Sequence, residues 1–529
     1  MLILFCRCAG LEVAVVSVFV SFVASWLKLF TSRKNEPFGG EGGILRATVV
    51  NRFPILSRLM HDWLAGTVAA MSVIAWASAQ PRHCFSAESG DMPPSSYPRE
   101  LQVTTKPCGH ILTNVNVWSP DGKWIVYDTR SDPAGEAFDG RTIEIVNADT
   151  SEVRIVYESQ YGAHCGVATF HPVDDKIVFI HGPEHPTADW QYSPFHRRGV
   201  IVDLKRSGMA RSLDARDIVP PFTAGALRGG SHVHVYSADG RWLSFTYDDH
   251  VLASHEAADA EPNQRNIGVS VAGRGVTVPR THPRNHDGDY YTVLVTRTAK
   301  QPQNGTDEIS RACEEAWIGD NGYQRVDGSW QRRALAFQGE VTTDTAQKIS
   351  EVFVVDLPED FAQAGDGPLQ GTATTRPRPP RGTQQRRLTY TSDRKFPGIQ
   401  GPRHWLRASP DGSRIAFLMR DDEGVVQLWT VSPNGGQPVQ VTRDPWDIGS
   451  TFTWRADGRS IAYVADGSVF VVDPDSGTSR RLTEKGGAAT APRPEACVFS
   501  PDGKRIAYVR PVESDGETFN QVFVVAVEE

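Results

Sequence analysis

The sequence predicts an all-β protein built as a closed, seven-bladed β-propeller. Three observations predict this fold class: a turn phrase that recurs along the chain, β-branched strands that follow each copy, and an early strand that matches the one missing from the last unit. Repeats of this period belong to solenoids and propellers, and four antiparallel strands per unit favour the propeller. Six or eight blades stay open as alternatives.

The recurring phrase is a tight turn with a strand directly after it. Copies of Ser-Pro-Asp-Gly or a close variant begin at residues 119, 237, 409, 455 and 500, and a looser copy, His-Pro-Val-Asp-Asp, begins at 171. Proline presets φ for the first corner, Asp bonds back to its own backbone, and Gly takes the positive φ. The apolar run that follows, as in residues 504–509, indicates a strand leaving a hairpin.

Two further strands follow in each unit, and together with the strand before each Asp-Gly turn they bring the unit to four strands. A β-branched segment such as residues 426–431 comes next, and a short one such as residues 438–442 ends the unit. The long gap between the turns at 237 and 409 holds enough strands for one more blade with insertions, which brings the count to seven. Within that blade, residues 357–386 are rich in Pro, Gly, Thr and Arg, so we expect a flexible insertion between its third and fourth strands.

The two ends of the predicted propeller fit one another. The last unit stops at its third strand, residues 521–527, and residues 100–104 read like the fourth strand at 438–442. Pairing the segment 99–104 with the last strand would remove the free edge of an open ring. The propeller is therefore predicted over residues 99–529.

The chain before the propeller has the pattern of an exported protein. Residues 64–76 form an apolar h-region that leads into the cleavage motif Ala77-Ser78-Ala79, so residues 60–79 are predicted to be a signal peptide and 80–98 a linker. We expect a periplasmic or otherwise exported protein.

The first 59 residues leave two alternatives. The apolar run at 11–30 is long enough for a membrane anchor, which would tether the protein if it is retained. Alternatively, translation begins downstream, at Met60 or slightly earlier at Val49 or Val50, and residues 1–59 are an extension that is not made.

Composition excludes several function classes. The net charge of −8 without a basic stripe gives no support to nucleic-acid binding. The sequence has no Gly-x-Ser-x-Gly elbow, P-loop or dinucleotide fingerprint. Cys108 and Cys165 stand at neighbouring blade entries, where a thiolate, a disulfide or a buried inert thiol are all open.

Strand alternation sorts the loops onto two faces of the disc. We call the face with the Asp-Gly turns and the third-to-fourth-strand loops the turn face, and the opposite one the entry face. The entry face carries the loops between second and third strands and those that enter each blade. Seven histidines are expected at the entry face, around the mouth of the central channel: His110, His164, His181, His185, His232, His250 and His404.

A subset of the histidines suggests a ligand site. His232 and His404 each precede a turn by five residues, and His232 and His234, two apart on a strand, are expected to point the same way. With neighbouring carboxylates they predict a divalent metal (Mn, Ca or Zn) or an acidic sugar or peptide. The predicted metal ligands are His164, His181, His232, His234 and His404. The alternative is that each histidine is a structural hydrogen-bonding group.

Three residues of the large insertion are a further prediction. Glu314, Glu315 and Trp317 either cap the channel mouth or are ordinary loop residues.

The repeat phrase, with its fourth strand ending in Leu-Thr, resembles the WD40-like (PD40) repeat of TolB propellers over roughly residues 100–529. Residues 179–184 and 231–237 look closer to an uncharacterised TolB-like bacterial family. His171-Pro172, His181-Gly182-Pro183-Glu184 and His232 also resemble oligogalacturonate lyases locally. That likeness implies a metal-assisted β-elimination on an acidic sugar, with His232 or His164 as candidate general base.

Three functions follow from these patterns. The first is an exported TolB-like propeller that binds a ligand or an envelope protein at the entry face. The second is a metal-dependent lyase or hydrolase acting on acidic oligosaccharides. The third is a non-catalytic envelope scaffold.

Overall fold

The computed structural model describes residues 97–206, 209–255, 259–401 and 405–527. Seven four-stranded antiparallel sheets follow one another along this part of the chain, which confirms the predicted seven-bladed propeller. The predictions for the extension, the anchor and the signal peptide, and nearly all of the linker, lie outside the described residues. Among the described residues, no helix has the length and apolar character needed to cross a membrane.

Each blade contains four strands, named from the innermost outward. Blade 1 contains Gly109–Ile111, Trp124–Arg130, Thr142–Asn147 and Val153–Glu158; blade 2 contains Cys165–Phe170, Lys176–His181, Arg198–Asp203 and Ala210–Ser212. Blade 3 contains Gly229–Tyr236, Trp242–Asp249, Asn266–Val271 and Tyr291–Leu294; blade 4 contains Ile309–Trp317, Ala334–Thr342, Lys348–Asp356 and Gln384–Arg387. Blade 5 contains Arg407–Ala408, Ile415–Arg420, Val426–Val431 and Val439–Gln440; blade 6 contains Thr453–Trp454, Ile461–Ala465, Ser468–Val472 and Ser479–Arg481. Blade 7 contains Cys497–Phe499, Arg505–Ser514, Glu517–Ala526 and, from the start of the chain, Glu100–Gln102.

A few short elements decorate the blades. Ala215–Arg216 and Ala226–Leu227 form a parallel pair between blades 2 and 3, and Tyr323–Gln324 pairs with Trp330–Gln331 in blade 4. One α-helical turn, His250–Ala253, follows the second strand of blade 3, and one 3₁₀ turn spans Leu204–Arg206.

The Asp-Gly turns form as their chemistry predicts. In blade 1, Ser119 Oγ donates to Asp121 Oδ1 at 2.6 Å, and the same carboxylate accepts from the amide of Lys123 at 3.1 Å. Gly122 has φ +68°, a conformation that costs other residues energy. The same serine–aspartate bond recurs at Ser237, Ser409 and Ser500, so one local motif builds four of the hairpins.

The ring closes through the early strand, as predicted. Glu100 lies opposite Val525 and Gln102 opposite Phe523 in an antiparallel ladder. Beyond the strand, Thr104 Oγ1 donates to Gln521 Oε1 at 2.8 Å and accepts the amide of Val522 at 2.8 Å. The first strand of the described chain thus becomes the fourth strand of the last blade.

Two long third-to-fourth-strand segments leave the turn face and continue along the outside of the disc. Residues 272–290 of blade 3 pair with the segment after blade 2, where the backbones of Arg216 and His286 exchange hydrogen bonds. Residues 357–383 of blade 4, predicted to be a flexible insertion, contact the entry side of blade 3 instead. Arg228 Nη2 donates to the carbonyl of Thr375 at 2.8 Å, and Glu261 pairs with Arg376 at 2.9 Å. We call residues 357–383 the strap.

Buried apolar side chains fill the space between neighbouring blades. One cluster joins blades 7, 1 and 2 around Val126, Phe179 and Val524, and another joins blades 3 and 4 around Phe337 and Phe353. The core of a propeller is thus distributed around the ring, which leaves the inner strands free to present side chains to the channel.

Candidate functional site

The innermost strands of blades 2, 3 and 4 share a backbone irregularity. Val167, Val233 and Glu314 have φ of +59°, +55° and +57°, and the strand register shifts at each of the three positions. Positive φ in a β-branched residue is a genuine outlier, and bulges of this kind re-aim neighbouring side chains. Backbone strain clusters at functional sites, so these bulges indicate a candidate site at the inner wall of blades 2–4.

The bulge of blade 3 separates two histidines that the sequence placed on one side. His234 Nε2 lies 2.9 Å from Ser231 Oγ, so His234 shares the side of Ser231. Adjacent residues of a regular strand point to opposite sides, which puts His232 on the other one. The expectation that His232 and His234 point the same way is therefore wrong, because Val233 interrupts the alternation.

His232 lies among charged groups from two blades. Its Nδ1 is buried and has no hydrogen-bond partner among the described residues. Burial, followed by the guanidinium groups of Arg197 and Arg265, holds the pKa of His232 well below its ordinary value. The imidazole is consequently neutral at physiological pH and has a free ring nitrogen.

The two arginines meet on one carboxylate. Arg265 Nε lies 3.2 Å from Asp248 Oδ2, and Arg197 Nη2 lies 3.9 Å from the same oxygen. Arg197 Nη1 also donates to Tyr192 Oη at 3.5 Å, while its Nε is buried and has no partner among the described residues. Two cations thus share one anion, and one of them retains an unused donor.

Glu314 of blade 4 adds an acidic group next to Arg265. Burial raises its pKa, and Arg311 and Arg265 oppose that rise. A carboxyl with a raised pKa can act as a proton donor nearer neutral pH than an ordinary glutamate. We call Arg197, His232, Asp248, Arg265 and Glu314 the entry-face cluster.

The other histidines predicted as ligands have different surroundings. His181 is fully buried, with Nδ1 2.7 Å from the carbonyl oxygen of Gly182 and Nε2 2.9 Å from Tyr157 Oη. Burial lowers its pKa to about 3. His164 Nδ1 lies 2.9 Å from the carbonyl oxygen of Asp139. His404 lies outside the described residues.

These arrangements bear on the predicted metal. Among the described residues, no three His, Cys, Asp or Glu side chains are grouped so as to hold a metal ion. Both ring nitrogens of His181 already have partners, and His234 lies on the other side of its strand from His232. The donor set of the described residues does not fit a Mn, Ca or Zn site.

The turn face holds a cavity of about 360 Å³ at the other mouth of the channel. Aromatic side chains from six blades line it: Trp118, Phe170, Tyr236, Trp317, Trp454 and Phe499. The three tryptophans each donate Nε1–H to a carbonyl of a neighbouring blade, at 3.0 Å in every case. The three indoles thus link neighbouring blades, and their N–H groups already have acceptors.

A buried polar bridge crosses the channel. Arg407 of blade 5 donates to Asn114 Oδ1 of blade 1 at 2.6 Å, and Arg407 also lines the turn-face cavity. Arg407 Nε has no partner among the described residues, as is also true of Arg197 Nε at the entry face.

Sequence reasoning missed the two arginines of the cluster. Neither belongs to a motif, although Arg197 and Arg265 each stand directly before a third strand, where the chain returns from the entry face. Glu314 and Trp317 were predicted in an insertion loop, whereas they belong to the innermost strand of blade 4. A search for charged residues at the entry-side ends of strands would have found Arg197 and Arg265.

The sequence is similar to a protein family and to a bacterial protein. The family described as "Protein of unknown function (DUF3748)" matches residues 164–286. The chain is 48% identical to the "Uncharacterized protein YidR" of Escherichia coli K12 over 412 residues, which are 77% of this chain and 94% of that protein.

Two solved structures are similar at lower identity. A manganese complex of oligogalacturonate lyase is 14% identical, with TM-score 0.49, over 82% of this chain and 95% of that one. A protein assigned as TolB from Agrobacterium tumefaciens is 15% identical, with TM-score 0.34, over 74% and 99%. At these identities the likeness concerns the fold alone.

Proposed function

The chain belongs to the family of the Escherichia coli protein YidR, and we propose that it binds a carboxylate-bearing ligand, such as an acidic oligosaccharide, at the entry-face cluster. The observation that carries the proposal is the pair Arg197 and Arg265, which share the single carboxylate of Asp248. The protein is proposed to work in the periplasm, which the predicted signal peptide supports.

The arginine pair suits a carboxylate better than a neutral ligand. Guanidinium groups form forked, charge-assisted hydrogen bonds with carboxylates. The side chain of Arg265 is 26% exposed and can meet a ligand, whereas that of Arg197, at 7%, contributes the charge and an unpartnered Nε. A ligand carboxylate would add a charge-assisted partner to the two arginines, which both pair with Asp248.

A second candidate function is β-elimination on a uronate, favoured by the neutral His232 beside the arginines. His232 would take the proton from the carbon next to the carboxylate, and the arginines would stabilise the charge that develops there. The bond from the neighbouring carbon to the glycosidic oxygen would break as a carbon–carbon double bond forms. Glu314 would donate its proton to the departing oxygen.

Ligand binding would also tune the base. Burial lowers the pKa of His232 in the free protein, and Arg197 and Arg265 lower it further. A carboxylate placed against them offsets their positive charge, so the pKa of His232 would rise in the complex and make the imidazole a better proton acceptor.

Calorimetric titration with galacturonate oligomers tests the binding proposal. The Arg265→Gln variant should bind about tenfold or more weakly, because a hydrogen bond between charged groups is lost. Arg414→Gln is the matched control, since Arg414 pairs with Asp475 on the turn face. Equal affinities in the wild-type protein and Arg265→Gln, or no binding at all, would contradict the proposal and leave the scaffold function.

A second assay separates binding from chemistry. Elimination creates a conjugated double bond, so ultraviolet absorbance should rise when the wild-type protein is mixed with the oligomers. His232→Gln should retain most of the binding and lose the absorbance change. Elemental analysis of the wild-type protein and of His232→Ala/His404→Ala tests the predicted Mn, Ca or Zn independently of both assays.

A further inference from the structure

A second cavity lies between blades 2 and 3, and its lining includes His196 and Arg198, the two neighbours of Arg197 in the chain; we call it the rim cavity. It has a volume of about 180 Å³ and lies between the loop 182–190 of blade 2 and the segment 283–286 of blade 3. Arg198, Arg216, Arg284 and His286 line it, and Glu184 is the carboxylate among its lining residues.

The cavity wall carries more positive than negative charge. Three arginines face one glutamate, which pairs with Arg198 at 3.2 Å. Arg284 instead donates to the carbonyl oxygens of Glu184 and His185, at 2.7 and 2.9 Å. Two cations are therefore left without a carboxylate in the lining.

Arg216 is the most constrained of these cations. It is 3% exposed, its two terminal nitrogens donate to the carbonyls of His196 and Arg197, and its Nε has no partner among the described residues. Burial lowers its pKa to about 10, the buried carboxylate of Asp214 opposes that change, and Arg198 and Arg284 add to it. The guanidinium stays charged at neutral pH, next to two others.

The ring of His286 has a buried nitrogen, Nε2, without a hydrogen-bond partner among the described residues. Burial, with Arg216 and Arg198 nearby, holds the pKa of His286 well below its ordinary value. Nδ1 lies 3.2 Å from the carbonyl oxygen of Asp287, which can only accept, so the proton of the neutral ring is on Nδ1 and Nε2 is an acceptor.

A rigid wall holds these groups in place. The indole of Trp190 stacks on His196 with ring centroids 3.7 Å apart, and the guanidinium carbons of Arg216 and Arg284 lie 5.8 and 5.6 Å from its ring. The donors are thus pre-positioned by packing, which lowers the entropic cost of binding.

We propose that this rim cavity binds a tetrahedral oxyanion, as in a phosphate or sulfate ester. Such a group offers acceptor oxygens in several directions, which matches the spread of guanidinium donors around the cavity. Its charge would offset the mutual repulsion of the three arginines. The site is separate from the entry-face cluster because Arg197 pairs with Asp248, whereas Arg198 pairs with Glu184.

Titration of the full chain with inorganic phosphate and with sulfate, at constant ionic strength set by chloride, tests the proposal. We expect saturable binding of both anions and a rise in melting temperature. Arg284→Gln and Arg198→Gln, both at partly exposed positions, should each weaken binding about tenfold or more. Arg274→Gln is the matched control, because Arg274 is exposed in the same segment and stacks on Tyr291 outside the cavity.

Each outcome decides between explanations. Unchanged affinity in both Arg284→Gln and Arg198→Gln, or no saturable binding by the wild-type protein, would overturn the proposal. Acetate binding as tightly as phosphate would overturn the tetrahedral class. Arg197→Gln should leave phosphate binding unchanged, so a failure at the entry-face cluster and a failure at the rim cavity are told apart.

Discussion

Replacing Arg228 by methionine should destabilise the propeller by about 3–5 kcal/mol, the range for breaking a buried ion pair on one side. Arg228 is 1% exposed, and its Nε lies 2.8 Å from Oδ2 of Asp249, which is 2% exposed. Methionine fills much of the same volume but leaves the Asp249 carboxylate buried without its cation. The cost comes mainly from that stranded charge.

The same substitution should loosen the strap. Arg228 donates from Nη1 to the carbonyl of Thr372 and from Nη2 to that of Thr375. Without these bonds, residues 372–376 keep their contacts with Glu261 but lose their anchor at the entry to blade 3. Amide hydrogen exchange in the strap should therefore accelerate in Arg228→Met, while exchange in the strands of blade 6 should change little.

Equilibrium unfolding in guanidinium chloride measures the loss in the free energy of unfolding, and two further variants serve as comparisons. Arg414→Met removes an exposed ion pair with Asp475, which is worth about 0–1 kcal/mol. Arg228→Met/Asp249→Asn removes both charges, yet the side-chain oxygen of the introduced asparagine can still accept the hydrogen bond that Asp249 Oδ1 receives from the amide of Leu252. The double variant should recover part of the lost stability.

Two results would refute this reasoning. One is a loss of less than about 1 kcal/mol in Arg228→Met, which would place the pair among exposed ones. The other is a double variant less stable than Arg228→Met, which would show that the stranded charge is not the main cost.

Three further predictions concern the ring and its interior. Thr104→Val should cost about 1–3 kcal/mol in guanidinium unfolding, because the buried partners of its hydroxyl at the ring closure are left unpaired; full stability would show that closure does not depend on them. Burial raises the pKa of Glu315 to about 7, with the hydrogen bond from Thr246 opposing. The folded protein therefore holds the proton to higher pH than the unfolded chain, and the free energy of unfolding should fall as pH rises from about 4.3 to 7. Glu315→Gln should flatten that part of the stability profile, and an unchanged slope would contradict the assignment. Burial raises the pKa values of the Cys165 and Cys313 thiols to about 12, so both should resist thiol-labelling reagents until the protein unfolds, as peptide mapping by mass spectrometry can check.

Local chemistry explains why so much of the fold was predictable. A turn such as Ser119–Gly122 depends on residues within five positions of one another, so its signal is complete in the sequence. The closing strand was predictable for a similar reason, since residues 100–104 share the sequence pattern of other fourth strands. The strap differs: its composition predicts flexibility, and its contacts with Arg228 and Glu261, more than a hundred residues away, leave no local signal in the sequence.

The sequence by itself determined that this protein is a propeller closed by its first strand and favoured seven blades, because turn formation and strand pairing follow from short, repeated patterns. Only the tertiary structure decided which charged groups meet. Arg197, Arg265 and Glu314 come from blades 2, 3 and 4, and the positive φ of Val233 and Glu314 changes the side to which their neighbours point. Such convergence rests on bulges and on packing between blades, whose energies depend on partners that lie far apart along the chain.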